Sequence, residues 1–256
     1  MFVSCSTLCF SKEPIESALR HMAEMEFHKV DLVLVESGDH LKPSEVAADI
    51  EAALAKLRHG PNLSPSAITL DFGDLPLGDP AYRKRFDAAC RMAKATTVAV
   101  LTIPCAPLDS PFEAEVKRLT ELSSHAMRQG LVVSVPTHSA QLTADPSAAV
   151  RLCETVPGLG LTLDPSHFIH GPHGSNNFDE VYPFVQNVHL RDTGKKPGEF
   201  QVRVGQGEVE YGRIVSNLER ARYNRALTVA IDDRPDNPFD VEVEVRKLKL
   251  LLESLL

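Results

Sequence analysis

Eight short β-branched runs separated by amphipathic stretches set what this chain can fold into. The runs are FVSCSTL, VDLVLVE (30–36), AITLDFG (67–73), TVAVLTIP (97–104), LVVSVPTH (131–138), LGLTLDPSH (159–167), VQNVHLRD (185–192) and ALTVAID (226–232). Between them apolar residues recur at helical spacing: Ile15, Ala18, Leu19 and Met22, then Val116, Leu119, Leu122 and Ala126, then Val245, Leu248, Leu252 and Leu255. Pro14 and Pro43 stand near helix starts, and Gly130 follows a helix as a C-cap would. A strict β-then-α alternation implies parallel strands joined by crossover helices. Eight such units close into a (β/α)8 TIM barrel, with a doubly wound open sheet as the runner-up. The barrel reading makes residues 1–256 one domain. The sixth unit is irregular, because LTLDPSH leads into FIHGPHGSNN and only a short helical stretch, FDEVYPFVQ.

Composition narrows the partners. The 256 residues are 43% hydrophobic and 24% charged, which describes a globular chain with a sizeable core. A net charge of −8 argues against a nucleic-acid backbone as partner. No apolar run is long enough to span a membrane, and MFVSCSTLCFSKEP does not read as a signal peptide. The five cysteines contain no CxxC and sit mostly in apolar runs, so they read as buried thiols in a reducing, cytoplasmic setting. The sequon at Asn62 then carries no weight.

In a closed parallel barrel the polar groups that matter stand at the C-terminal ends of the strands. Side chains alternate along a strand, and this parity selects the inward set. It gives Ser134, Pro136 and His138 on strand five, and Thr162 and Asp164 on strand six. Strand seven adds Asn187 and His189, and strand eight Thr228, Ala230 and Asp232. Asp164, His189, Asp232 and His138 therefore meet at one mouth. Two carboxylates and two imidazoles could hold a divalent cation of the Mn, Co, Zn or Mg type. Each alone is equally readable as a capping aspartate or a hydrogen-bonded core histidine.

These residues resemble the xylose isomerase-like TIM barrels, the sugar (phosphate) isomerases and epimerases grouped with endonuclease IV. LTLDPSHF resembles the family's Asp-x-x-His motif on strand six. NVHLRD resembles its Val-His-x-Lys/Arg-Asp motif on strand seven, and QVRVGQGEVEYGRI its glycine-rich loop. The resemblance implies a metal set of Glu, Asp, His and Glu from strands five to eight. Asp164 and His189 match it, Asp232 is shorter than the usual Glu, and Pro136 stands where the strand-five Glu is expected. His138, one strand step further on, would supply the missing ligand or a base.

The expected cofactor is a divalent metal held by Asp164, His189 and Asp232, with His138 in place of the missing Glu; losing one of four ligands should weaken its binding, to the point that the site could stand empty. Catalytic roles then fall to Asp232, His138 and Glu36, and substrate contacts to His167, Arg203 and His40. Arg191 and Asp192 read as a loop-orienting salt bridge, while His170 and His173 read as loop residues. The implied function is a sugar, sugar phosphate or polyol isomerase or epimerase working through a metal-stabilised enediolate. The alternative is a repurposed barrel that binds a sugar-like ligand or metal without that activity. A nuclease reading lacks the basic face it needs. No homo-oligomer is specified by the sequence or excluded by it.

Overall fold

The computed structural model describes the chain apart from residues 59, 62, 74, 77, 173 and 236. His173 and the sequon's Asn62 therefore lie outside the described residues. Eight parallel strands close in chain order: β1 (Phe2–Ser6), β2 (Lys29–Val35), β3 (Ser64–Asp71), β4 (Val100–Thr102), β5 (Val132–Pro136), β6 (Gly160–Leu163), β7 (Val185–Leu190) and β8 (Ala226–Val229), with β8 pairing back onto β1. This is the (β/α)8 barrel, and the open sheet is ruled out by that last pairing.

The outer layer is α1 (Ile15–Glu24), α2 (Pro43–Ala48), α3 (Ile50–Arg58), α4 (Pro80–Ala95), α5 (Phe112–Met127), α6 (Pro146–Thr155), α7 (Pro165–Ile169), α8 (Tyr211–Arg220) and α9 (Val241–Ser254). The helical stripes turn inward as expected. Ile15, Ala18, Leu19 and Met22 are buried on α1, and Val245, Leu248 and Leu252 on α9. All five cysteines are buried thiols. Among the described residues no helix is long and apolar enough to cross a membrane.

Several strands are shorter than their apolar runs, for local reasons. The run 97–104 pairs only over Val100–Thr102, because Thr97 takes a left-handed φ of 58° and Pro104 has no amide to donate. The run 159–167 stops at Leu163, because Asp164 caps α7 by accepting the Ser166 amide at 3.0 Å. The sixth unit keeps its irregularity: α7 has five residues, and the stretch 179–184 forms a single 3-10 segment.

The barrel interior is layered and polar for much of its height. Near its floor the Ser4 and Ser66 hydroxyls bond at 2.8 Å. Thr102, Ser134 and Thr162 form a closed hydroxyl triangle of 2.7–3.1 Å across β4, β5 and β6. The inward parity assigned to β5 and β6 is thereby seen directly.

The loop from β7 to α8 is organised by one carboxylate. Asp192 accepts the amides of Gly205 at 2.7 Å, Gly207 at 3.0 Å and Val209 at 3.4 Å. Gly205 has φ +86°, and a Cβ at Gly207 would lie 2.2 Å from Asp192 Oδ1 and 2.5 Å from the Thr193 carbonyl. Glycine is required at Gly207 by close approach rather than by φ. Gly207→Ala is expected to lower stability by about 1–3 kcal/mol, as overpacking does. Gly212→Ala, with open space around its Cβ in exposed α8, is expected to lose nothing. Urea midpoints of the two variants check the contrast.

Candidate functional site

Arg191 is the centre of the C-terminal mouth. It follows β7 on the inward parity of Asn187 and His189, and its side chain is 7% exposed. Its Nη2 donates to Asp164 Oδ2 at 3.0 Å and its Nη1 to Asp232 Oδ2 at 2.8 Å. One guanidinium thus joins the strand ends of β6, β7 and β8. Burial alone would push Arg191 down, but Asp232 and Asp164 outweigh it and hold its pKa above the ordinary value. Burial pushes Asp164 up, but Arg191, His167 and His189 together leave it below the usual carboxylate range. Asp232 also accepts from Arg234 at 3.0 Å, and its backbone is clasped by the Gln201 side chain.

A step below, His189 Nε2 bonds Asp31 Oδ2 at 2.5 Å. Asp31 lies on β2 and is fully buried; Thr69 and Asn187 also donate to its carboxylate. A buried charge persists only when paired and hydrogen-bonded, and Asp31 is both. The sequence signal was its position as the lone charge inside VDLVLV, opposite in parity to the helix-facing Leu32 and Leu34.

Two histidines stack on the β5–β6 side. The rings of His138 and His167 are 4.1 Å apart, and His167 lies 4.9 Å from the Phe200 ring. The Ala140 amide donates to His138 Nδ1 at 3.1 Å, and the Ser139 amide to His167 Nδ1 at 3.3 Å. An N–H donor aimed at Nδ1 requires a lone pair there, so each ring carries its proton on Nε2. Burial lowers both pKa values, His167 to about 3, although Asp164 Oδ2 stands 3.9 Å from its Nε2. At that distance the carboxylate does not offset desolvation.

The other sequence-selected residues lie elsewhere. Glu36 accepts the Ser44 amide at the start of α2 and pairs with Arg85 of α4 at 3.2 Å, so it is turned to the helix layer. His40 is buried and its Nε2 donates to the Phe10 and Glu13 carbonyls, which fastens the loop after β1. Arg203 is exposed on the β7–α8 loop. His170 Nδ1 is bonded to the Gly194 carbonyl, and its ring edges onto Phe200.

The expected Arg191–Asp192 salt bridge is corrected. Neighbouring residues leave a strand on opposite sides, so Arg191 enters the mouth while Asp192 builds the loop. Arg191, Asp31 and Phe200 were not among the sequence-selected site residues.

This arrangement does not fit a divalent ion. Asp164 and Asp232 already share a guanidinium, and His189 is bonded to Asp31. Among the described residues no three His, Cys, Asp or Glu side chains are placed to hold a metal.

The family model for xylose isomerase-like TIM barrels matches residues 19–251. The chain belongs to that family. This xylose isomerase-like barrel superposes on a D-tagatose 3-epimerase-like protein with TM-score 0.75 at 18% identity, covering 100% of this chain and 98% of the other. A xylose isomerase-like protein from Mycobacterium smegmatis, in complex with magnesium, gives 0.75 at 17% identity, over 99% and 97% of the two chains. The IOLI protein with a bound zinc atom gives 0.73 at 17%, over 100% and 96%. At such identities the likeness establishes the fold alone. Among curated proteins none matches the chain in sequence.

Two outcomes are expected. Asp164→Ala strips a buried guanidinium of one partner and should cost about 3–5 kcal/mol. Asp233→Ala breaks the Lys12–Asp233 pair, whose lysine is 51% exposed, and should cost less than about 1 kcal/mol. Chemical denaturation measures both.

A third expectation concerns pH. His167 stays neutral in the fold to about pH 3, whereas the unfolded chain protonates it near 6.5. The unfolded state then binds more protons between those values, so stability falls as pH drops through them. His167→Gln should flatten part of that slope in denaturation midpoints taken from pH 7 to 4.

Proposed function

We propose that this barrel binds a small sugar-like compound at its C-terminal mouth without the metal-stabilised enediolate step that its motifs imply. The observation that carries this reading is Arg191 lying between Asp164 and Asp232, the two carboxylates that a cation would need. A guanidinium offers fixed positive charge and N–H donors to a ligand oxygen, but it opens no coordination position.

Proton transfer is poorly served by the same groups. A general base works best with a pKa near the working pH. His167 is pushed far below that, and the Nδ1 atoms of both stacked histidines are occupied by backbone amides. Glu36 is engaged by Arg85 and α2.

The second reading is the sugar isomerase or epimerase, with Asp164, His189, Asp232 and His138 on a divalent ion and Asp232 and His138 moving the proton. Family membership and the epimerase-like neighbour favour it. It requires Arg191 to leave both carboxylates.

Metal analysis of the purified protein, followed by Mn, Co, Zn and Mg calorimetry, separates the two. The first reading predicts no stoichiometric ion, no micromolar binding, and no solvent deuterium entering a panel of aldoses and ketoses. About one ion per chain, with deuterium entering beside a carbonyl, overturns it in favour of the isomerase.

A further inference from the structure

We infer that the ligand of the mouth is an acid, a sugar or hydroxy acid held by its carboxylate, rather than a neutral sugar. The inference rests on the mouth being the binding site, as proposed above. It follows from counting which hydrogen-bonding groups there are already used.

Three of the four carboxylate oxygens of Asp164 and Asp232 are already engaged. Asp164 Oδ1 takes the Ser166 amide and Oδ2 takes Arg191. Asp232 Oδ2 takes both Arg191 and Arg234. Neutral sugars present hydroxyl protons that need acceptors, and protein carboxylates are the strongest of these.

The donors are left over. Arg191 Nε–H is buried and has no hydrogen-bond partner. Such an orphan is costly, the more so on a charged group, until something accepts from it. His138 and His167 each carry Nε2–H, because their Nδ1 atoms accept backbone amides. The mouth thus presents the Nε–H of Arg191 and the Nε2–H of both histidines, and the complement of such donors is an acceptor.

Charge and shape select a carboxylate. Arg191 and Arg234 balance Asp164 and Asp232, so the cluster carries no net charge opposing an added anion. A planar group also suits the aromatic walls. Phe200 lies over the guanidinium of Arg191 at 5.2 Å and that of Arg234 at 5.5 Å, beside the His138–His167 stack. The Phe200 ring stands beside the guanidinium that carries the orphan donor. Arg234 also lines a cavity of about 340 Å³ with Lys12, Glu13, Asp233 and Asn237. That polar space adjoins the mouth and suits the hydroxylated remainder of the ligand.

The test is a titration of the full chain with D-gluconate, D-glucuronate, D-glucose, sorbitol and glucose 6-phosphate. It is followed in the arginine Nε–H region of the proton–nitrogen NMR spectrum, with affinities from calorimetry. Arg191→Lys keeps the charge, removes Nε–H, and assigns the signal. Gluconate or glucuronate is expected to move the Arg191 Nε–H resonance and to bind at least about tenfold tighter than glucose or sorbitol.

Arg191→Lys should lose that preference. His138→Phe keeps the stacking and stays outside the buried ion cluster, so it tests the site if the arginine variant fails to fold. It should weaken the acids several-fold and so narrow their preference over the neutral sugars. Neutral sugars binding as well as the acids overturn this inference while leaving the mouth as a sugar site. Tighter binding of glucose 6-phosphate also overturns it, and assigns the anion as phosphate. No binding by any probe at millimolar concentration overturns both this inference and the reading it rests on.

Discussion

The buried guanidinium of Arg191 is the constraint around which the mouth is arranged. A charge taken out of water is tolerated only when opposite charges stand close to it. Asp164 and Asp232 supply those partners from the ends of β6 and β8. The pairing in turn fixes what each aspartate can do. Asp164 is an N-cap and an ion-pair partner at once, and Asp232 is shared by two arginines. Asp164, held despite its burial below the usual carboxylate range chiefly by Arg191, is a weak proton acceptor, and both carboxylates have little left for a cation. Gln201 ties the β7–α8 loop to the backbone of Asp232, and the neighbouring Phe200 closes over the guanidinium. The loop, the three strands and the electrostatics of the site therefore depend on one side chain.

The layers beneath show the same economy. Inside the barrel, most of the inward polar side chains named above satisfy one another. The Thr102–Ser134–Thr162 triangle and the Asp31–Asn187–His189 set do so across strands distant in sequence. His189 is held by the Asp31 pair below the guanidinium. Outside the barrel, Asp192 spends its carboxylate on backbone amides of the glycine-rich loop. Those amides are consequently not a cradle for a ligand.

The barrel was legible because its signals are local and repeated. Periodicity marks strands and helices wherever one face is buried, and eight repeats specify closure. The inward parity of Ser134, Thr162 and Asn187 was also readable, since alternation is fixed by strand geometry. What parity cannot give is which inward groups pair. Asp31 and His189 are 158 residues apart and meet only on closure. Arg191 had the inward parity of His189 but stood in an apparent loop motif beside Asp192, which made a local salt bridge the simpler reading. Phe200 lies in a polar loop with no periodic signal at all. Pro136 was rightly singled out as a strand end without an acid; its carbonyl accepts the Thr143 hydroxyl.

The central claim is that an internal guanidinium stands where the fold's motifs would place a divalent ion. Anomalous diffraction from crystals of the protein soaked in millimolar Mn addresses it directly. The account predicts no anomalous peak between Asp164 and Asp232, with Arg191 bridging both carboxylates. A strong peak at that position, with Arg191 swung away and His189 turned from Asp31 toward the ion, would contradict it.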